Sequence, residues 1–172
     1  YEAKTLLIAT GSMRRKLEIP GAKEFDNKGI SYCASCDGPL FADQNVAVIG
    51  GGNAAFETAA QLLSYAKSVT LLNRSDFFKA DEMTVEKVLS NPKMKAIKNA
   101  VPKAVKGTRF VEALVYEENG VEKELPVTGI FVEIGLIPTT GFVKDLIPLN
   151  KIGQIPVDPK TQKTEVPGVW AA

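Results

Sequence analysis

Two clusters in this chain of 172 residues have the residue types and spacing to do chemistry. The first is Cys33-Ala34-Ser35-Cys36-Asp37. Thiols at i and i+3 can open and close a disulfide, and a thiolate in such a motif is activated because its pKa falls toward about 7. Exchange then passes through a mixed disulfide, one cysteine attacking and the other resolving. Asp37 directly follows Cys36 and is placed to give or take the proton. The alternatives are two buried structural thiols, or half of a metal site completed by another chain.

The second cluster is Val46-Ala47-Val48-Ile49-Gly50-Gly51-Gly52-Asn53-Ala54-Ala55, an apolar run that breaks into Gly-x-Gly-x-x-Ala. Gly50 permits a tight turn out of a strand, and Gly52 has no side chain to block a pyrophosphate. Ala55 is small enough for the following helix to sit close to the strand. The N–H groups and positive end of that helix suit phosphate. Glycines serving loop geometry alone are the bland alternative. A dinucleotide site usually carries an acidic residue at the end of the next strand, where it reads the ribose. Here that place holds Asn73-Arg74-Ser75, with Lys79 soon after. Two cations and no carboxylate at the strand end favour NADPH over NADH, although Asp76 and Asp81 stand near in sequence. Ordinary solvated surface charges are the competing reading of Arg74 and Lys79.

The composition excludes much else. The chain has no histidine and only two cysteines, so Ser-His-Asp and Cys-His catalysis and a tetrahedral zinc site are all ruled out for this chain alone. The formal net charge is +1 with both signs mixed, and no nucleic-acid footprint is visible. No apolar run approaches the ~20 residues of a membrane span and no signal peptide opens the chain, so a soluble protein is expected.

The elements that must position these residues are legible in part. Thr5 to Thr10 reads as a short, fully buried strand, and Pro20-Gly21 and Lys28-Gly29 as breaks. Val46 to Ile49 is a strand, Asn53 to Tyr65 carries apolar residues at helical spacing, and Val69 to Leu72 is the next strand. Together they predict a parallel strand–helix–strand unit. A helix is expected over 81–90, stopped by Asn91-Pro92. Phe110 to Tyr116 and Val121 to Leu125 read as a hairpin turning at Glu117-Glu118-Asn119-Gly120, followed by an apolar run from Thr128 to Ile134. The fold class is therefore α/β, a Rossmann-like parallel sheet with helices plus an antiparallel β-meander. Both ends read as cut from something larger.

The chain resembles the low-molecular-weight bacterial thioredoxin reductases over essentially its whole length. The matching pieces are Leu7-Ile8-Ala9-Thr10-Gly11, Ile30-Ser31-Tyr32-Cys33-Ala34-Ser35-Cys36-Asp37-Gly38, Val48-Ile49-Gly50-Gly51-Gly52-Asn53, Val69-Thr70-Leu71-Leu72 and Ile134-Gly135-Leu136-Ile137-Pro138. The resemblance implies that residues 13–135 form an NADPH-binding domain carrying the CxxC. Residues 1–12 and 136–172 would be pieces of an FAD domain into which it is inserted. It implies that Cys36 lies toward the flavin, that Cys33 attacks the disulfide of thioredoxin or a thioredoxin-like dithiol protein, and that Asp37 is the acid. The nucleotide would be held by Gly50, Gly51, Gly52, Asn53, Ala54, Ala55, Asn73, Arg74, Ser75, Lys79 and Gly135, with no metal. A cytoplasmic, homodimeric parent flavoprotein is implied, whose domains turn against each other.

The chain departs from that family in three places. The FAD fingerprint expected before Tyr1 and the Gly-Asp flavin pair expected after Ala172 are absent from it. The usual His-Arg-Arg appears as Asn73-Arg74-Ser75, and a later Arg as Lys79, which lacks the guanidinium fork. Two alternatives follow: a peroxiredoxin-reducing flavoprotein of the same family, or a nucleotide-binding module that passes no electrons without flavin.

Overall fold

The computed structural model describes residues 2–172. Along the chain lie β1 (Leu6–Ile8), β2 (Ser12–Arg14), β3 (Ile30–Ser31) and the one-turn helix α1 (Ala34–Asp37), which runs into a 3-10 turn over Gly38–Phe41. Next come β4 (Asn45–Ile49), α2 (Asn53–Leu62), β5 (Ser68–Leu72), α3 (Glu82–Leu89) and β6 (Met94–Ile97). They are followed by β7 (Ala100–Gly107), β8 (Val111–Glu118), β9 (Val121–Pro126), β10 (Gly129–Val132), β11 (Leu136–Pro138) and β12 (Val169–Ala171). The chain divides into two compact units. One is the continuous segment Lys16–Ile134, and the other joins the chain up to Arg15 with Gly135–Ala172.

In the continuous unit five strands form a parallel sheet in the order β3-β10-β4-β5-β6. Period-two alternation divides its side chains between two cores. Val46, Val48, Val69, Leu71 and Phe131 pack with Ala55, Phe56, Ala59 and Leu62 of α2 and Val88 of α3. Ala47, Ile49, Leu72, Ile130 and Val132 face the other way, toward Val105, Val111, Leu114 and Tyr116 of an antiparallel sheet, β7-β8-β9. A sheet covered on both faces explains why β4, β5 and β10 read as continuous apolar runs. The β8–β9 hairpin turns on Asn119-Gly120, both at positive φ, the type I′ chemistry that an Asn-Gly pair supplies.

The helices end where local chemistry stops them. α2 finishes at Leu62, short of Tyr65, because the chain folds back: Asp43 N–H donates to Tyr65 O and Lys67 N–H to Gln44 O. Asp81 caps α3, its Oδ1 accepting from Thr84 N–H at 3.1 Å, and Glu82 suits the positive end. The apolar run that extends to Ile134 leaves the ladder after Val132.

In the discontinuous unit β1 pairs in parallel with β12, and β2 runs antiparallel to β11. Arg14 is in register with Leu136, and Arg15 N–H donates to Gly135 O at 2.9 Å. The expectation of a fully buried first strand is corrected here. The strand is three residues long and Leu7 is 65% exposed, because only Ile8 turns into the small core of Val143, Ile147, Val169 and Ala171.

Candidate active site

The thiol turn grows out of the edge strand β3. Ser31, its last residue, is buried and in register with Phe131. Two residues later Cys33 takes an extended conformation as the N-cap of α1, and its sulfur is joined to that of Cys36. Cys36 N–H donates to Cys33 Sγ at 3.2 Å, so the two sulfurs are electrostatically unequal. A donor aimed at one sulfur is of the kind that stabilises negative charge there. Cys36 is the more exposed of the pair.

Asp37 closes this turn. Its N–H donates to Cys33 O at 3.0 Å, and its Oδ2 accepts from Ser31 Oγ at 2.5 Å. Ser31 Oγ in turn accepts from Cys33 N–H at 3.1 Å. On the other flank Tyr32 stays a neutral phenol, because burial, with Asp26 nearby, raises its pKa above the ordinary value. Ser35 Oγ donates to Gln61 Oε1 at 2.8 Å and ties the thiol turn to α2.

The glycine turn sits at the opposite end of that same helix. Gly50 has φ +145°, and a Cβ there would run into Glu133 O and lie 3.0 Å from Ala55 Cβ. Gly51 is equally confined, since a Cβ would collide with Asn73 Oδ1. Gly52, the N-cap of α2, has nothing within 4 Å of a Cβ position. Ala55 is wholly buried against β4. Two closed positions and one open one leave bare backbone at a helix N-terminus, a cradle that fits a pyrophosphate. We predict that Gly50→Ala destabilises the fold by about 1–3 kcal/mol, through backbone strain and overpacking. A urea midpoint unchanged from wild type would contradict this.

The strand-end loop is locked onto the glycine turn. Lys79 N–H donates to Gly51 O at 2.7 Å, and Asp81 N–H donates to Asn53 Oδ1 at 2.8 Å. Asn73 is buried, and its Nδ2 donates to Ser75 O at 3.0 Å and Phe77 O at 2.7 Å, so this amide shapes the loop. Arg74 and Lys79 are exposed, and among the described residues neither makes an ion pair. Phe78 packs edge-on against Phe56 of α2 at 5.0 Å, anchoring the loop by about 0.5–1.5 kcal/mol beyond area burial.

One further cation escapes sequence reasoning. Leu72 is in register with Ile97, and Asn99 N–H donates to Ser75 O, which brings Lys98 beside the loop. Its Nζ stands 4.9 Å over the Phe78 ring. Only the β5–β6 pairing reveals this, and no sequence pattern marks β6.

Within the continuous unit, then, α2 carries the glycine turn at its N-terminus and touches the thiol turn near its C-terminus. Asn53 and Gln61 are eight residues apart, about 12 Å at 1.5 Å per residue. Gly135 belongs to the discontinuous unit, where it has φ +100° and accepts from Arg15 N–H. That unit has a cavity of about 330 Å³ whose wall includes Thr10, Gly11, Thr140 and Gln154, with open space where a Cβ on Gly11 would stand. No group of His, Cys, Asp and Glu among the described residues is arranged to hold a metal ion.

Comparison with known proteins places this geometry among relatives. The family model described as pyridine nucleotide-disulphide oxidoreductase matches residues 1–172. The chain is 41% identical to an NADH dehydrogenase of Bacillus subtilis (strain 168), with 99% of the chain and 34% of that protein aligned. It is 42% identical to the F component of alkyl hydroperoxide reductase of Staphylococcus aureus (strain MRSA252), with the same coverage. Among solved structures, thioredoxin reductase of Lactococcus lactis superposes with a TM-score of 0.91 at 38% identity, covering 98% of this chain and 56% of that one. Thioredoxin reductase of T. acidophilum gives 0.91 at 36%, covering 100% and 57%. The chain thus spans about a third of these curated relatives and a little over half of the solved ones.

Proposed function

Because the chain belongs to the pyridine nucleotide-disulphide oxidoreductases, we propose that it is the nicotinamide-binding, disulfide-bearing part of a flavoenzyme that reduces a dithiol protein such as thioredoxin. In this reading Lys16–Ile134 is the NADPH and CxxC domain, and the discontinuous unit belongs to the FAD domain. When bound, NADPH would supply a hydride and FAD would carry its electron pair to the Cys33–Cys36 disulfide. The chain's own residues do the rest. Gly50, Gly51, Gly52, Asn53, Ala54 and Ala55 form the pyrophosphate cradle, and Gly135 lies where the chain re-enters the other unit. Arg74 and Lys79, on the loop shaped by Asn73 and Ser75, would hold the 2′-phosphate.

Reduced Cys33, its charge stabilised by Cys36 N–H, attacks the partner's disulfide and forms a mixed disulfide. Cys36 then attacks Cys33 Sγ and releases the partner as a dithiol, with Asp37 moving the proton. The observation that carries this reading is a glycine turn and a Cys33–Cys36 disulfide at opposite ends of one helix. The cradle and the thiol turn lie about 12 Å apart along α2, and a flavin is the cofactor that joins hydride chemistry to disulfide chemistry. No helix among the described residues is long and apolar enough to cross a membrane. A cytoplasmic protein suits a reductant that keeps thiols reduced.

A second reading rests on the likeness to the F component of alkyl hydroperoxide reductase at 42% identity. In it the partner is a peroxiredoxin-linked disulfide domain. Steady-state NADPH oxidation with added FAD separates the readings. Turnover with thioredoxin supports the first, and turnover only with a peroxiredoxin-linked disulfide protein supports the second. No sustained oxidation with either partner would leave a nucleotide-binding module and overturn both for this chain.

A further inference from the structure

One buried side chain beside the thiols has no role in the exchange described above. Ser31 is 5% exposed and held on both sides of its hydroxyl. Its single hydroxyl hydrogen goes to Asp37 Oδ2 at 2.5 Å, with Cys33 O more distant at 3.5 Å, and its lone pair receives Cys33 N–H at 3.1 Å. One oxygen therefore bridges the residue that attacks and the residue that moves the proton. The bridge is mounted on β3, which is paired to β10 of the central sheet, whereas Cys33 and Asp37 lie on a helix of one turn.

That difference matters when the disulfide opens. An isolated turn of helix is marginal because nucleation fixes several dihedrals for one hydrogen bond. In the oxidised state the sulfur–sulfur bond closes the turn. In the dithiol state that covalent tie is gone, and Ser31, held by the pairing of β3, would be the fixed point to which both Cys33 and Asp37 can bond. With Oδ2 occupied by the serine hydroxyl, Oδ1 is left to exchange the proton.

We propose that Ser31 is a positioning residue for disulfide exchange, holding Asp37 and Cys33 in one mutual geometry through both oxidation states. The proposal rests on the reading of Cys33–Cys36 as a redox pair, and it concerns a half-reaction that needs neither nucleotide nor flavin. Cys33 thiolate attacks one sulfur of a disulfide and displaces a thiolate, which takes a proton. Cys36 thiolate then attacks Cys33 Sγ, re-forming the protein disulfide and releasing the second thiol. Two electrons leave the protein dithiol and two reach the substrate disulfide, which becomes two thiols.

The test is single-turnover oxidation of the pre-reduced chain by oxidised glutathione, quenched by alkylation and read by mass. Ser31→Ala should react roughly tenfold more slowly, the cost of a misoriented acid. Ser31→Thr should restore the rate, whereas Ser31→Val, nearly isosteric but without the hydroxyl, should not. The double variant Ser31→Ala/Asp37→Asn should be no slower than Asp37→Asn alone, because the serine acts through the carboxyl. A wild-type rate in Ser31→Ala or Ser31→Val, equal losses in the Thr and Val variants, or full additivity with Asp37→Asn would each overturn the proposal. A wild-type chain that fails to exchange at all would instead overturn the redox reading of the cysteines.

Discussion

Cys33→Ser abolishes re-formation of the protein disulfide, and so completed exchange, while leaving the chain folded and its nucleotide affinity unchanged. The expectation follows from how the turn is built. Cys33 Sγ is the sulfur that receives Cys36 N–H, and oxygen in its place cannot form a mixed disulfide. The disulfide closes a very short loop, so its loss returns little chain entropy to the unfolded state. The turn also keeps the Asp37 N–H bond to Cys33 O and the Ser35 bond to Gln61. The glycine cradle at the far end of α2 touches none of these. The measurement pairs the glutathione reaction with a urea midpoint and a nucleotide titration. A midpoint that collapses along with exchange would mean that the thiols serve structure. Cys36→Ser gives the complementary result: attack still occurs, no resolution follows, and a glutathione adduct accumulates on Cys33.

Arg74→Ala weakens NADPH by roughly 10–100-fold and leaves NADH nearly unchanged, the range expected for losing a charge-assisted hydrogen bond of about 1.5–3 kcal/mol. Arg74 is exposed on a loop fixed by the Asn73 side-chain amide and the Lys79 N–H, so the substitution removes the guanidinium without releasing the loop. Lys79 and Lys98 remain nearby, which keeps the loss finite. Salt should narrow the difference between wild type and variant, because an exposed cation is screened. Direct titration of both nucleotides decides the matter. Equal weakening of NADPH and NADH would show that Arg74 does not read the 2′-phosphate.

The parts of this fold that the sequence announces are those in which one local rule acts alone. β4, α2 and β5 show an apolar run, a glycine turn and helical spacing in sequence, and all three elements form. The β8–β9 hairpin follows from Asn119-Gly120. β7 is hidden because its exposed side carries Lys103 and Lys106, with Pro102 interrupting the pattern, so its burial alternates weakly. β3 is two residues long and β6 four, too short to show a period, yet their neighbours in the sheet make them strands.

The candidate site divides in the same way. Cys33, Cys36, Asp37 and the glycines are visible because they are contiguous. Asn73 is visible as a position, but not as the buried amide that shapes its own loop. Lys98 has no motif, and Ser31 lies in the matching stretch before Cys33 with no sign there of its bonds. Ser31 meets Asp37 only because α1 folds back on the end of β3, and Lys98 meets the strand-end loop only because β6 pairs with β5.

The narrow ribbon of β2 and β11 has a consequence for how the chain can be divided. Arg15 and Gly135 are hydrogen-bonded neighbours, so the long segment between them occupies the place of a hairpin loop. Closure entropy grows only slowly with the length of the connecting segment. Residues 16–134, which carry the thiols, the glycine turn and the strand-end cations, are joined to the rest of the chain at two adjacent points. A deletion of that segment would need to supply only a tight turn between Arg15 and Gly135.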